Sequence, residues 1–198
     1  MDSEPLAGEA WRRTVAPYGY TITDADLAAC VGIPYARTHA YLAERVTLPD
    51  ATAFWPVLSG ELFGLIDERL ETFPDAVEAV GELRERGVTV AVASSSPRER
   101  LDRTLARVGL KFEVSVAGDE VEHGKPSPDM FFYIAHQLGV GPDRCVVVED
   151  SPPGVAAGRA AGMPTLGVCR VPGTEATLAA ADRVVDRVSA EVILEMFV

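Results

Sequence analysis

From residue 73 onward the chain alternates short apolar runs with amphipathic segments, and that alternation leaves few folds open. Val88-Thr89-Val90-Ala91-Val92-Ala93, Cys145 to Val148 and Thr165 to Val168 are short, rich in β-branched residues, and bounded by turn formers. Between and around them lie helical periodicities at Asp75 to Arg86, Arg98 to Val108, Pro128 to Leu138 and Gly154 to Ala161, the first two stopped by Gly87 and Gly109. Phe112 to Val116 and Arg183-Val184-Val185 add two shorter strand candidates. Strands that are apolar on both faces, each followed by a helix, predict a parallel sheet covered on both sides, an α/β fold.

The first 72 residues have a different texture. Ser3 and Pro5 read as an N-cap and an early-helix proline ahead of Leu6, Ala10, Trp11, Thr14 and Val15. Further helices are predicted at Asp24 to Val31, Tyr35 to Arg45 and Phe54 to Leu70, and no strand candidate appears. The chain therefore divides into an all-helical unit, 1–72, and an α/β unit, 73–198. The stripes that carry Trp11 and Trp55 read as the core of the helical unit.

Composition excludes several classes. Apolar residues make up 47% of the 198, enough for a sizeable core. A formal charge of −12 argues against nucleic acid or an anionic membrane surface as the main partner. No apolar run reaches the roughly 18 residues of a membrane span, and no signal peptide is visible. Cys30, Cys145 and Cys169 are odd in number and widely spaced, which fits a reducing cytoplasm and small buried apolar roles. His39, His123 and His136 share no ligand spacing, and His123 reads as a solvated loop residue.

In open parallel sheets, ligands bind beyond the carboxyl ends of the strands. Three polar motifs fall there. Ser94-Ser95-Ser96-Pro97 follows the first strand, where a hydroxyl and free helix-start amides suit a phosphate; Ser96 ahead of Pro97 reads equally as a plain helix cap. Lys125, one of only two lysines, sits in Gly124-Lys125-Pro126-Ser127-Pro128-Asp129, placed either to offset phosphoryl charge or as a surface cation. Glu149-Asp150-Ser151 ends a strand of three valines. The paired carboxylates suit a hard cation such as Mg²⁺, while Asp150 or Ser151 equally fits a helix N-cap.

In this order the motifs resemble the haloacid dehalogenase-like superfamily, in the helical-cap branch with a Glu-Asp fourth motif that includes β-phosphoglucomutase-like and phosphoglycolate-phosphatase-like proteins. The resemblance implies a Rossmann-like core under a helical cap. It implies Ser94 and the Ser95 amide on the phosphate, Lys125 bridging phosphate and nucleophile, and a cis Lys125–Pro126 bond. Asp150 would bind Mg²⁺ directly with Glu149 beside it, and Phe73-Pro74 would be the hinge. Residues Gly32 to Arg37 would contribute to substrate selection, with Arg37 as an anion contact.

The opening Met1-Asp2-Ser3-Glu4-Pro5 matches the segment that follows the family's Asp-x-Asp motif. The nucleophilic Asp is therefore expected upstream of Met1, and no residue here is assigned its role. The same expectation removes the central strand of the sheet, leaving the Val88 and Cys145 strands roughly 9–10 Å apart. Met1 stands where the family carries an aliphatic residue, so a GTG initiator inside a longer reading frame is expected. Ala7 replaces a mutase histidine and no lysine precedes Lys111, which favours a phosphatase over a phosphosugar mutase. The activity expected of the intact protein is Mg²⁺-dependent hydrolysis of a small phosphorylated metabolite, a sugar phosphate or phosphoglycolate-like acid, by a cytoplasmic monomer or homodimer; the chain beginning at Met1 is expected to be inactive, because the nucleophilic Asp lies upstream. A non-catalytic phosphate-ester-binding protein is the alternative, and a mutase the lesser one.

Overall fold

The computed structural model describes Met1 and residues 3–30 and 33–197. Asp2, Val31, Gly32 and Val198 lie outside them. So do the Asp of the opening motif, the last residue of the predicted second helix, and the first of the 32–37 segment. In chain order the elements are α1 (Glu4–Val15), α2 (Asp24–Cys30), α3 (Tyr35–Ala43), α4 (Ala51–Arg69), α5 (Pro74–Glu85), β1 (Val92–Ala93), α6 (Arg98–Val108), β2 (Ser115–Val116), α7 (Asp129–Leu138), β3 (Val147–Glu149), α8 (Pro152–Ala160), β4 (Thr165–Val168), β5 (Arg183–Val185) and α9 (Ala190–Leu194). They group into two compact units: residues 1–72 with 99–110, and residues 73–98 with 111–198.

The first unit is helical because its apolar residues recur at helical spacing and its ends are capped. Leu6, Ala10, Trp11, Val15, Leu42, Phe54, Leu58, Leu62, Leu65 and Ile66 form one core. Trp11 stacks between Tyr35 and Phe54, with ring centroids 5.8 and 5.7 Å away. Burying such large rings supplies much of a small unit's stability. Asp50 caps α4, its side chain accepting the amides of Thr52 and Ala53 at 3.0 Å each. Thr23 and Asp26 form a reciprocal capping pair at the start of α2, each side chain accepting the other's backbone amide. Ser3 precedes α1 but does not cap it through its side chain; its hydroxyl accepts from Arg100 of α6 at 2.9 Å instead. Arg103 pairs with Asp67 and Arg107 donates to the Asp67 carbonyl at 2.7 Å, tying α6 to α4.

The second unit is α/β, as the alternation predicts. Every strand pair is parallel, with Val92 opposite Ser115, Val148 opposite Leu166, and Gly167 opposite Val184. β4 occupies the predicted residues and is buried throughout. The predicted Val88–Ala93 strand is shorter than expected. Only Val92 and Ala93 pair; Val88 and Val90 are half-buried and Thr89 is exposed. Phe112–Val116 likewise contracts to Ser115–Val116. Residues 88–90 are β-branched but have no partner strand among the described residues, and a strand without a partner has no ladder to join. The ladders fall into two pieces, β1–β2 and β3–β4–β5, and none joins β1 to β3 among the described residues. Helix α7 spans the division: Phe131 and Ala135 pack with Val147 of β3 and Ala93 of β1. Helix α9 has no counterpart in the sequence reading, although Ser189 caps it through Val192 and precedes an apolar run.

Candidate active site

The polar residues at the carboxyl ends of β1, β2 and β3 all belong to the second unit. Ser94 leaves β1 with its amide on the Val116 carbonyl at 2.9 Å, and its hydroxyl accepts the Ser96 amide at 3.2 Å. The first amide of α6 is taken by Asp119 at 2.9 Å. Gly118 donates to the Ser96 carbonyl at 2.9 Å and packs so closely on Ser95 that a Cβ would overlap its carbonyl oxygen. The serine loop is thus pinned to the loop after β2.

Lys125 arrives from a tight turn. Ser127 N donates to Gly124 O at 3.0 Å, and the Lys125–Pro126 bond between them is cis, as the resemblance implied. The side chain is 7% exposed. Its ammonium donates to the Ala93 carbonyl at 3.2 Å, pairs with Glu149, and lies 5.3 Å from the centroid of the Phe131 ring. One cation therefore links the ends of β1 and β3, next to Ser94, where no ladder connects them. A buried ammonium is tolerated only with such partners.

Glu149 is 9% exposed and shared between Lys125 and the Ser151 hydroxyl, which donates at 3.0 Å. Ser151 also accepts the Gly154 amide at 3.2 Å, capping α8, so of the two capping candidates Ser151 takes the role. Gly154 lies against the Glu149 carboxylate, and a Cβ there would overlap it. Asp150 is exposed. Two carboxylates, one of them engaged by a lysine and a serine, do not enclose a divalent cation. Among the described residues no group of three or more His, Cys, Asp or Glu is placed to hold one.

The structure brings together Ser94, Lys125 and Glu149 and leaves Asp150 and Ser95 exposed at the same strand ends. Arg37 is exposed in α3, in the other unit. His39, unassigned by its spacing, is a buried core residue with Nε2 2.9 Å from the Pro49 carbonyl. Sequence reasoning missed Phe131, Gly154 and Asp129. Asp129 accepts the Ser127 hydroxyl at 2.5 Å and both the His123 amide and ring Nδ1 at 3.2 Å. The Ser127 hydroxyl, with His123, holds the Asp129 carboxyl below its ordinary range. The Ser-Pro-Asp run was its only signal.

The fold agrees with that of known proteins. A family model for haloacid dehalogenase-like hydrolases matches residues 1–162, and the chain belongs to that family. It is 35% identical over 167 residues to a phosphorylated carbohydrates phosphatase of Thermotoga maritima, covering 82% of this chain and 77% of the relative. It is 32% identical to a fructose-1-phosphate phosphatase of Escherichia coli, covering 85% and 90%. Among solved structures, a HAD-family hydrolase of Deinococcus radiodurans with bound phosphate and sodium superposes with a TM-score of 0.71 at 32% identity, covering 96% of this chain and 86% of that one.

Proposed function

We propose that this protein hydrolyses the monoester of a small phosphorylated metabolite, a sugar phosphate or a phosphoglycolate-like acid. The observation that carries the reading is Lys125, a buried ammonium anchored across the carboxyl ends of two parallel strands beside the Ser94 loop. In this reading the Ser94 hydroxyl and Ser95 amide hold phosphate oxygens, and Lys125 offsets the charge on the transferring group. Glu149 and Ser151 keep the ammonium from turning away. The two sugar-phosphate phosphatases among the relatives, and the phosphate bound by the Deinococcus protein, support this substrate class.

Several finer statements belong to the same proposal. Residues 1–72 act as the cap and 73–198 as the core, with Arg37 as an anion contact. Mg²⁺ dependence follows from the resemblance, with Asp150 as direct ligand and Glu149 beside it; the described residues alone do not enclose the ion, so the steps above are those of the protein's own groups. No helix among the described residues is long and apolar enough to cross a membrane. A cytoplasmic setting, and a monomer or homodimer, complete the proposal.

A second reading is phosphate-ester binding without turnover, which asks of the protein only the Ser94 loop and the buried Lys125 ammonium. Phosphate release from a panel of phosphomonoesters, with Mg²⁺ present, separates the two. Hydrolysis is expected, falling by about 100-fold or more in Lys125→Met. Binding of inorganic phosphate without release from any ester favours the second reading. Neither binding nor release overturns both.

A further inference from the structure

The residues on either side of Lys125 share one partner. The Asp129 carboxylate accepts from Ser127, two residues after the lysine, through one oxygen. Through the other it accepts from His123, two residues before it, by backbone amide and ring nitrogen alike. Inside this clasp the turn is closed again by Ser127 N on Gly124 O at 3.0 Å. Asp129 is itself the first residue of α7, and two residues later on the same helix Phe131 offers its ring to the lysine. A negative side chain at a helix start is also favoured by the helix dipole.

We propose that Asp129 is the positioning residue of the Lys125 turn, tying both flanks of the lysine to the start of α7 and so determining where its ammonium is held. Without this clasp, the hydrogen bond left closing the turn among the described residues is Ser127 N on Gly124 O, and the ammonium would sample positions away from Glu149 and the Ala93 carbonyl. A role confined to starting α7 would make no such demand, since a helix start needs no bond to His123. The structural part of the inference stands on these contacts. Its catalytic consequence rests on the phosphatase reading.

The sequence offers a direct probe. It has two lysines, Lys125 buried and Lys111 exposed, so each molecule carries its own reference for amine reactivity. Acetylation by an N-hydroxysuccinimide ester, read as the Lys125-to-Lys111 rate ratio by peptide mass spectrometry, reports how well the turn is held. Asp129→Ala is expected to raise that ratio by about tenfold, the loss of a charge-assisted hydrogen bond. Asp129→Asn, which keeps a side-chain oxygen for Ser127, restores part of the protection. An unchanged ratio in a folded Asp129→Ala protein overturns the inference. Should that variant not fold, the same ratio in a Ser127→Ala, His123→Ala pair decides the matter in its place. On a hydrolysed ester, Asp129→Ala lowers kcat more than it raises KM. A parent protein that releases no phosphate counts against the phosphatase reading alone, because the labelling ratio needs no turnover.

Discussion

Gly118 and Gly154 have less room to change than any side chain they support. Neither needs a left-handed backbone; each is excluded from carrying a Cβ by what lies against it, the Ser95 carbonyl in one case and the Glu149 carboxylate in the other. Gly118→Ala forces backbone apart from backbone and is expected to cost about 1–3 kcal/mol, read as a lower denaturant midpoint at unchanged slope. At this scale the candidate site was half legible. Ser94, Lys125 and Glu149 could be named from sequence because each stands where a predicted strand or turn ends. The pairing of Lys125 with Glu149 could not, because 24 residues separate them and only packing decides which carboxylate a buried lysine meets. Gly154 reads in sequence only as the start of a helix.

Helices were more legible than strands. α6 covers the predicted residues and ends at Gly109, whose φ of +68° suits a residue without a side chain. A helix satisfies its own hydrogen bonds, so caps and periodicity determine its extent. α4 begins three residues before the first apolar position of its stripe, because Asp50 supplies the cap. Asp50→Ala is expected to lower stability by about 1 kcal/mol, measured by thermal or chemical unfolding. Strands behave otherwise. β4, flanked by β3 and β5, fills its predicted span. β1, with a neighbour on one side, keeps two of the six residues predicted.

For the molecule as a whole, two units, each with a buried carboxylate, matter. Asp26 in the first unit accepts from Thr23, Tyr20 and Tyr41. The Thr23 hydroxyl and amide, then the tyrosines, outweigh burial and hold its carboxyl well below the ordinary range. In the second unit burial works against ionised Asp75, and Arg170 with the Val188 amide more than compensates. Both groups bind protons less readily folded than unfolded. Their stabilisation is therefore complete above the unfolded carboxyl value near pH 4 and is lost as pH falls through the lower folded values. Unfolding followed from pH 7 down to pH 3 is expected to show that decline, and Asp26→Asn to start less stable and fall less steeply. The alternation of strand and helix, the helix ends, the family and the positions of the strand-end motifs follow from the sequence alone, because each rests on neighbours a few residues apart. How far each strand pairs, that Lys125 is held by Glu149 and Ala93, and that the Ser3 hydroxyl serves Arg100 rather than capping α1 were decided only by the tertiary structure. In each of these the partner lies far along the chain, and burial chooses it.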